Sequence, residues 1–162
     1  MLNQFELCSA PITAAAYEKC DSIVLFLCKE CAPAVPQLEL PVEAAKAVEA
    51  YLAAHDDVYE VGALTSFVLP TEGGLLQLII AGCGEGSDCK PNNFRKAAGE
   101  AARALHKAKA RQAVCAAPIL LNPQRGFYAQ AIAEGMFLGG YTFNRFKSEA
   151  KEAPLCAVKL LS

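Results

Sequence analysis

The sequence predicts an α/β fold, a mixed β-sheet with helices on both faces, and three observations predict it. Short apolar runs alternate with amphipathic helical stretches, the pattern of a sheet layered between helices. Two neighbouring strand-like runs are joined by a short glycine-rich link, so part of the sheet is antiparallel. The composition, 54% hydrophobic and 20% charged over 162 residues, suits one domain, residues 1–162, with a proper core.

Each element has its own signal. Ser22-Ile23-Val24-Leu25-Phe26-Leu27-Cys28 is short, apolar and β-branched at its start, a buried strand. Ala32 to Pro41 contains three prolines and reads as a loop. Val42, Ala45, Val48, Tyr51 and Leu52 recur at helical spacing, so Val42 to His55 is a helix, with Glu43 favourably placed in its first turn. Val61 to Leu69 and Leu75 to Ala81 are strands of a hairpin turned at Pro70 to Gly74. The second is almost wholly apolar and belongs in the middle of the sheet. Pro91 opens a helix to about Lys109, with Phe94, Ala98, Ala101, Ala102 and Leu105 on its apolar stripe. Arg111 to Ala116 is a strand, Pro118 to Pro123 a turn, Gln124 to Gly139 a helix and Leu155 to Leu161 the last strand.

The totals exclude several classes. No apolar run approaches the roughly 20 residues of a spanning helix, and no basic leader precedes an apolar stretch, so neither a membrane segment nor a signal peptide is expected. Eight cysteines in a long, core-rich chain without a leader point to a reducing, cytoplasmic setting rather than a disulfide scaffold. Cys28, Cys115 and Cys156 lie inside strand-like runs, where they serve as small hydrophobes. Charge is uneven: residues 1–81 carry 3 basic and 11 acidic side chains, and residues 82–162 carry 12 and 6. Intermixing of the halves in one fold would largely cancel that field.

Three places could carry chemistry. Cys28-Lys29-Glu30-Cys31 is a CxxC pair, able in principle to hold zinc or act as a dithiol. A closed zinc site needs four ligands, and Cys83 and Cys89 are spaced too widely for a standard second pair. Pro33 and Pro36 speak against the helix that follows a thioredoxin-type motif, so a chance pair at a strand end is the default. Gly82-Cys83-Gly84-Glu85-Gly86 lies between a strand and a helix N-terminus, the recipe for an anion site. It is neither a P-loop nor GxGxxG, and Glu85 and Asp88 would repel a phosphate. A tight turn under a closely packed helix is the plainer expectation. The basic face with Arg95, Lys96, Arg103, Lys107, Lys109 and Arg111 lacks an aromatic platform and contains Glu100, so a solvated face or subunit contact is expected rather than nucleic acid. GxSxG, HExxH and paired-histidine spacings are absent.

Three stretches together resemble the N-terminal domain of leucine (cytosol) aminopeptidases. Leu78 to Ala81 running into Gly82-Cys83-Gly84 is similar to that family's "vGlG" turn. Phe94-Arg95-Lys96-Ala97-Ala98-Gly99 is similar to its "RkAaG" helix. Glu134-Gly135 through Tyr141, Phe143 and Lys147 resembles its "aEGl.LgsY.Fd.yKs" run. The third is fairly specific, and residues 1–77 resemble the family only in pattern. Glu85 stands where the family often has Lys, and Asn144 where an acid is common; both bear on subfamily only.

The resemblance implies a macro-domain-like, three-layer fold. It implies a parent enzyme that removes N-terminal residues from peptides with two divalent metals (zinc, manganese or magnesium). The metal ligands of the family belong to a C-terminal catalytic domain that includes the motif "NTDAEGRL", which this sequence lacks, so no catalytic, cofactor or metal residue transfers to it. What it implies for Gly82, Gly84, Arg95, Lys96, Gly99, Glu134, Gly135, Tyr141, Phe143 and Lys147 is a structural role, beside the catalytic domain and within a hexamer. The chain alone is then expected to be inactive. An alternative from the same fold is a stand-alone domain binding ADP-ribose or a related nucleotide at the glycine turn; a weaker one is a zinc module through Cys28 and Cys31.

Overall fold

The computed structural model describes residues 2–3, 5–123, 125–142 and 156–162. Six strands form the main sheet: β2 (Phe5–Ala10), β3 (Ser22–Leu27), β4 (Leu64–Thr71), β5 (Gly74–Gly82), β6 (Gln112–Ala116) and β8 (Cys156–Leu161), in the order β2-β8-β6-β3-β5-β4. All neighbouring pairs are parallel except the β4–β5 hairpin. A separate two-stranded ribbon pairs β1 (Leu2–Asn3) with β7 (Tyr141–Thr142).

Parallel strands need crossovers, and these coat the sheet on both sides. On one side lie helices α2 (Pro91–Lys107) and α3 (Gly126–Gly139), packed over Val24, Phe26, Ile79 and Cys115. On the other lie α1 (Val42–Ala54) and several 3-10 turns, packed over Ile23, Leu25, Leu27, Leu78 and Ile80. Because alternate residues of β3 and β5 feed opposite faces, both strands are buried throughout their inner length, which is why they read as continuous apolar runs.

The expected elements are present, with shifted ends and three corrections. The segment expected as a loop forms 3-10 turns over Lys29–Leu38; Pro33 and Pro36 lack the N–H groups that an α-helix would use there, yet tolerate these tighter turns. Pro118–Leu121 is likewise a 3-10 turn. The strand β2 has no counterpart in the sequence reading. It is an edge strand with Glu6, Cys8 and Ser9 exposed, so its apolar signal is weak.

The hairpin turn is tighter than expected. Thr71 pairs with Gly74, and Pro70 sits inside β4 opposite Leu75; β4 is an edge strand, where a missing donor does no harm. β5 is flanked on both sides, one place in from that edge. The third helix begins at Gly126, and Gln124 lies outside the described residues.

Candidate functional site

The glycine turn follows β5 at the carboxyl end of the sheet. Gly82 is there because the chain passes very close to it: a Cβ would lie 2.5 Å from the carbonyl oxygen of Val58 and collide with that of Glu60. Gly84 takes φ of +106° and Gly86 of +58°, conformations that favour glycine.

Four N–H groups of this turn have protein partners. Gly82 donates to the Ala63 carbonyl at 2.8 Å, Cys83 to Leu27 at 2.8 Å and Gly84 to Tyr59 at 2.7 Å. The Gly86 N–H donates to the carboxylate of Glu30. A carboxylate of the chain itself thus sits where an incoming phosphate would have to bind. Glu85, in turn, pairs with Lys29 at 2.9 Å on the surface.

The helical residues expected as a family signature converge on the seam between α2 and α3. Arg95 Nε donates to Glu134 Oε2 at 2.7 Å, while its Nη1 reaches Asn92 Oδ1 at 3.0 Å. Gln130 donates to the other oxygen of Glu134 at 2.9 Å. The amide of Gln130 and the Arg95 guanidinium together hold the Glu134 carboxyl below its ordinary pKa.

Next to that pair the helices touch through small residues. A Cβ on Gly135 would collide with the Arg95 carbonyl oxygen and lie 2.7 Å from Ala98 Cβ. One on Gly139 would collide with the Gly99 carbonyl and lie 2.8 Å from Ala102 Cβ. Gly135 and Gly139 therefore let the two backbones approach more closely than a side chain permits, whereas a Cβ on Gly99 would make only ordinary contacts.

The remaining expected positions are scattered. Lys96 and Gly82 both line a shallow cavity of about 270 Å³, with Glu100 and Arg103 at its rim. Tyr141 pairs with Asn3 in the small ribbon. Phe143 and Lys147 lie outside the described residues. The basic face is partly neutralised, since Arg103 is paired with Glu100 as Arg95 is with Glu134.

Sequence reasoning missed the surroundings of the CxxC pair. Cys83 and Cys89, too far apart in sequence for a standard knuckle, are brought beside it. Cys28, Cys31, Cys83 and Cys89 all border the core under α2 and α3. Cys28, Cys31 and Cys89 lie close enough for each to shift the others' titration. Among the described residues no three His, Cys, Asp or Glu side chains are arranged to hold a metal ion, so the two-metal centre implied by resemblance has no donor set here. Nor is any described helix long and apolar enough to cross a membrane.

The model of the cytosol aminopeptidase family, N-terminal domain, matches residues 25–150. A probable cytosol aminopeptidase of Streptomyces coelicolor is 36% identical over 91 residues, which are 52% of this chain and 16% of that protein. Among solved structures, a mutant of tomato leucine aminopeptidase superposes with a TM-score of 0.64 at 21% identity, covering 98% of this chain and 32% of the other. The bottromycin maturation enzyme BotP in complex with Mn superposes at 0.58 and 20% identity, over 88% and 27%. The chain thus spans a third or less of each of these proteins.

Proposed function

This chain belongs to the cytosol aminopeptidase family, as its N-terminal domain, and on that premise we propose that it is the non-catalytic scaffold of a cytoplasmic leucyl aminopeptidase. In this reading a C-terminal catalytic domain of the same polypeptide performs two-metal hydrolysis of N-terminal residues from peptides, with zinc, manganese or magnesium. The domain described here packs beside it and contributes to a hexamer.

The observation that carries the reading is the use to which the signature residues are put. Gly99, Arg95, Glu134 and Gly135 join α2 to α3, and Gly82 admits a neighbouring backbone. Of the signature residues, Gly82 and Lys96 line the shallow cavity described above, which Arg95, Gly99, Glu134 and Gly135 do not. The outer side of α3 supports a packing partner: Phe127, Phe137 and Leu138 are exposed, Phe127 by 73%, and a helix that is apolar on both sides is ordinarily covered. The nucleotide alternative is disfavoured by the glycine turn, where the amides of Gly82, Cys83, Gly84 and Gly86 already have acceptors and Glu30 opposes a second anion.

The test is direct. The purified chain, supplied with manganese, is incubated with a leucyl p-nitroanilide. No release above the buffer rate is expected, because two-metal hydrolysis needs a metal clamp to polarise the carbonyl. Release that depends on manganese and co-purifies with the chain would refute the reading.

A further inference from the structure

We propose that Cys28 and Cys31 are an oxidisable dithiol, converted to a disulfide by small-molecule disulfides such as oxidised glutathione. This stands apart from the aminopeptidase reading and is decided by thiol mapping alone. Cys28 lies between β3 and the 3-10 turns, and the Cys31 N–H donates to the Cys28 carbonyl at 3.2 Å. That bond folds the CxxC into one turn and places the two thiols near each other, at the edge of the same core. All eight cysteines are free. Cys28 is 1% exposed, whereas Cys31 is half-buried, so an incoming reagent meets Cys31 first.

The chemistry follows from that arrangement. The Cys31 thiolate attacks one sulfur of the small disulfide, the S–S bond breaks, and the departing thiolate takes up the proton that Cys31 lost. Cys28 then attacks the Cys31 sulfur, breaking the mixed disulfide and releasing the second small thiol. Two protein thiols are oxidised and one small disulfide is reduced to two thiols.

Rate is set by protonation. Burial pushes Cys28 and Cys31 up to about 12, and Cys89 upward as well. The other groups facing the three thiols are Glu30 on the same turn, Cys83 after β5, and Tyr128 of α3, whose hydroxyl donates to the Cys89 carbonyl at 3.1 Å. At Cys31, the attacking thiol, burial, Cys28 and Glu30 all oppose a thiolate. The site is therefore slow at neutral pH, and its rate climbs about tenfold per pH unit while the thiolate is scarce. Slow entry does not weaken the product, since an unstabilised thiolate leaves the disulfide the favoured partner in exchange.

The experiment treats the folded chain with oxidised glutathione between pH 7 and 9, traps free thiols with iodoacetamide and maps peptides by mass spectrometry. The expected result is a Cys28–Cys31 crosslink that dithiothreitol reverses, forming about tenfold faster for each added pH unit. Cys89→Ser is expected to leave the crosslinking rate undiminished, and Cys31→Ser to abolish it. A lasting glutathione adduct on Cys31, a Cys28–Cys89 crosslink, loss of the crosslink in Cys89→Ser, or unmodified Cys28 and Cys31 throughout would each overturn the proposal.

Discussion

The two faces of the sheet are built from different materials. Under α2 and α3 more than half of the buried residues are Ala or Cys: Ala98, Ala101, Ala102, Ala113, Cys115 and Ala131 are typical. Under α1 and the 3-10 turns the core is Leu, Ile and Val, with Tyr17 and Leu38 among its larger members. Small residues allow close backbones and leave no slack. Large aliphatic residues fill more volume and can be exchanged for one another. The helical residues of the expected signature, Arg95, Gly99, Glu134 and Gly135, lie on the first face. The second face is specified by volume and pattern, and many sequences satisfy that.

Substitutions can break or sharpen this contrast. The largest effect is expected for Ala98→Leu, which inserts three heavy atoms beside Gly135 where no space exists. Overpacking of this kind costs about 3 kcal/mol, a large part of a typical stability of about 5–15 kcal/mol. The matching change on the other face, Leu78→Met, conserves volume and should cost below about 1.5 kcal/mol. Urea unfolding followed by circular dichroism compares the two. Equal losses would erase the distinction between the faces.

Tyr17→Phe comes next. Its hydroxyl donates to the Leu38 carbonyl at 2.8 Å in a buried position, and burial raises its pKa, so it stays a neutral donor. Removing it leaves that carbonyl without its partner, a loss of about 1–2 kcal/mol in the same unfolding experiment. A loss near zero would mean that the larger face tolerates polar defects as well as shape changes.

The smallest effect is expected for Glu134→Gln, because the pair with Arg95 is substantially exposed. Its sign with pH is fixed. The folded carboxyl titrates below its ordinary value of 4.5, so its stabilising contribution is full at neutral pH and is lost as pH falls through the folded pKa. The stability difference between wild type and Glu134→Gln should therefore shrink on acidification from pH 7 to below pH 4, and also on adding salt. A difference that grows on acidification would put the carboxyl in another setting.

Much of this fold was legible because long apolar runs and strong helical periodicity survive any packing. Strands β3 and β5 and helix α2 are of this kind. β2 escaped because an edge strand is half solvated, and its Glu6 and Ser9 erase the apolar signature. The 3-10 turns at Lys29–Leu38 escaped because prolines mark where an α-helix cannot run, without saying which tighter geometry replaces it. At the seam, Arg95, Gly99, Glu134 and Gly135 could be singled out from sequence, but their mutual contacts could not, since they come from helices separated by a strand. The cysteine cluster is the clearest case. Cys89 lies far along the chain from Cys28, and only the β3–β5 pairing places the ends of those strands together.

The central claim is that the α2–α3 signature is a packing signature, and Gly135→Ala tests it most directly. A single methyl there meets the Arg95 carbonyl and Ala98. Its unfolding free energy, measured in urea beside the wild type, should fall by about 1–3 kcal/mol, although alanine is the better helix former by about 1 kcal/mol. A variant as stable as the wild type, or more so, would contradict the account.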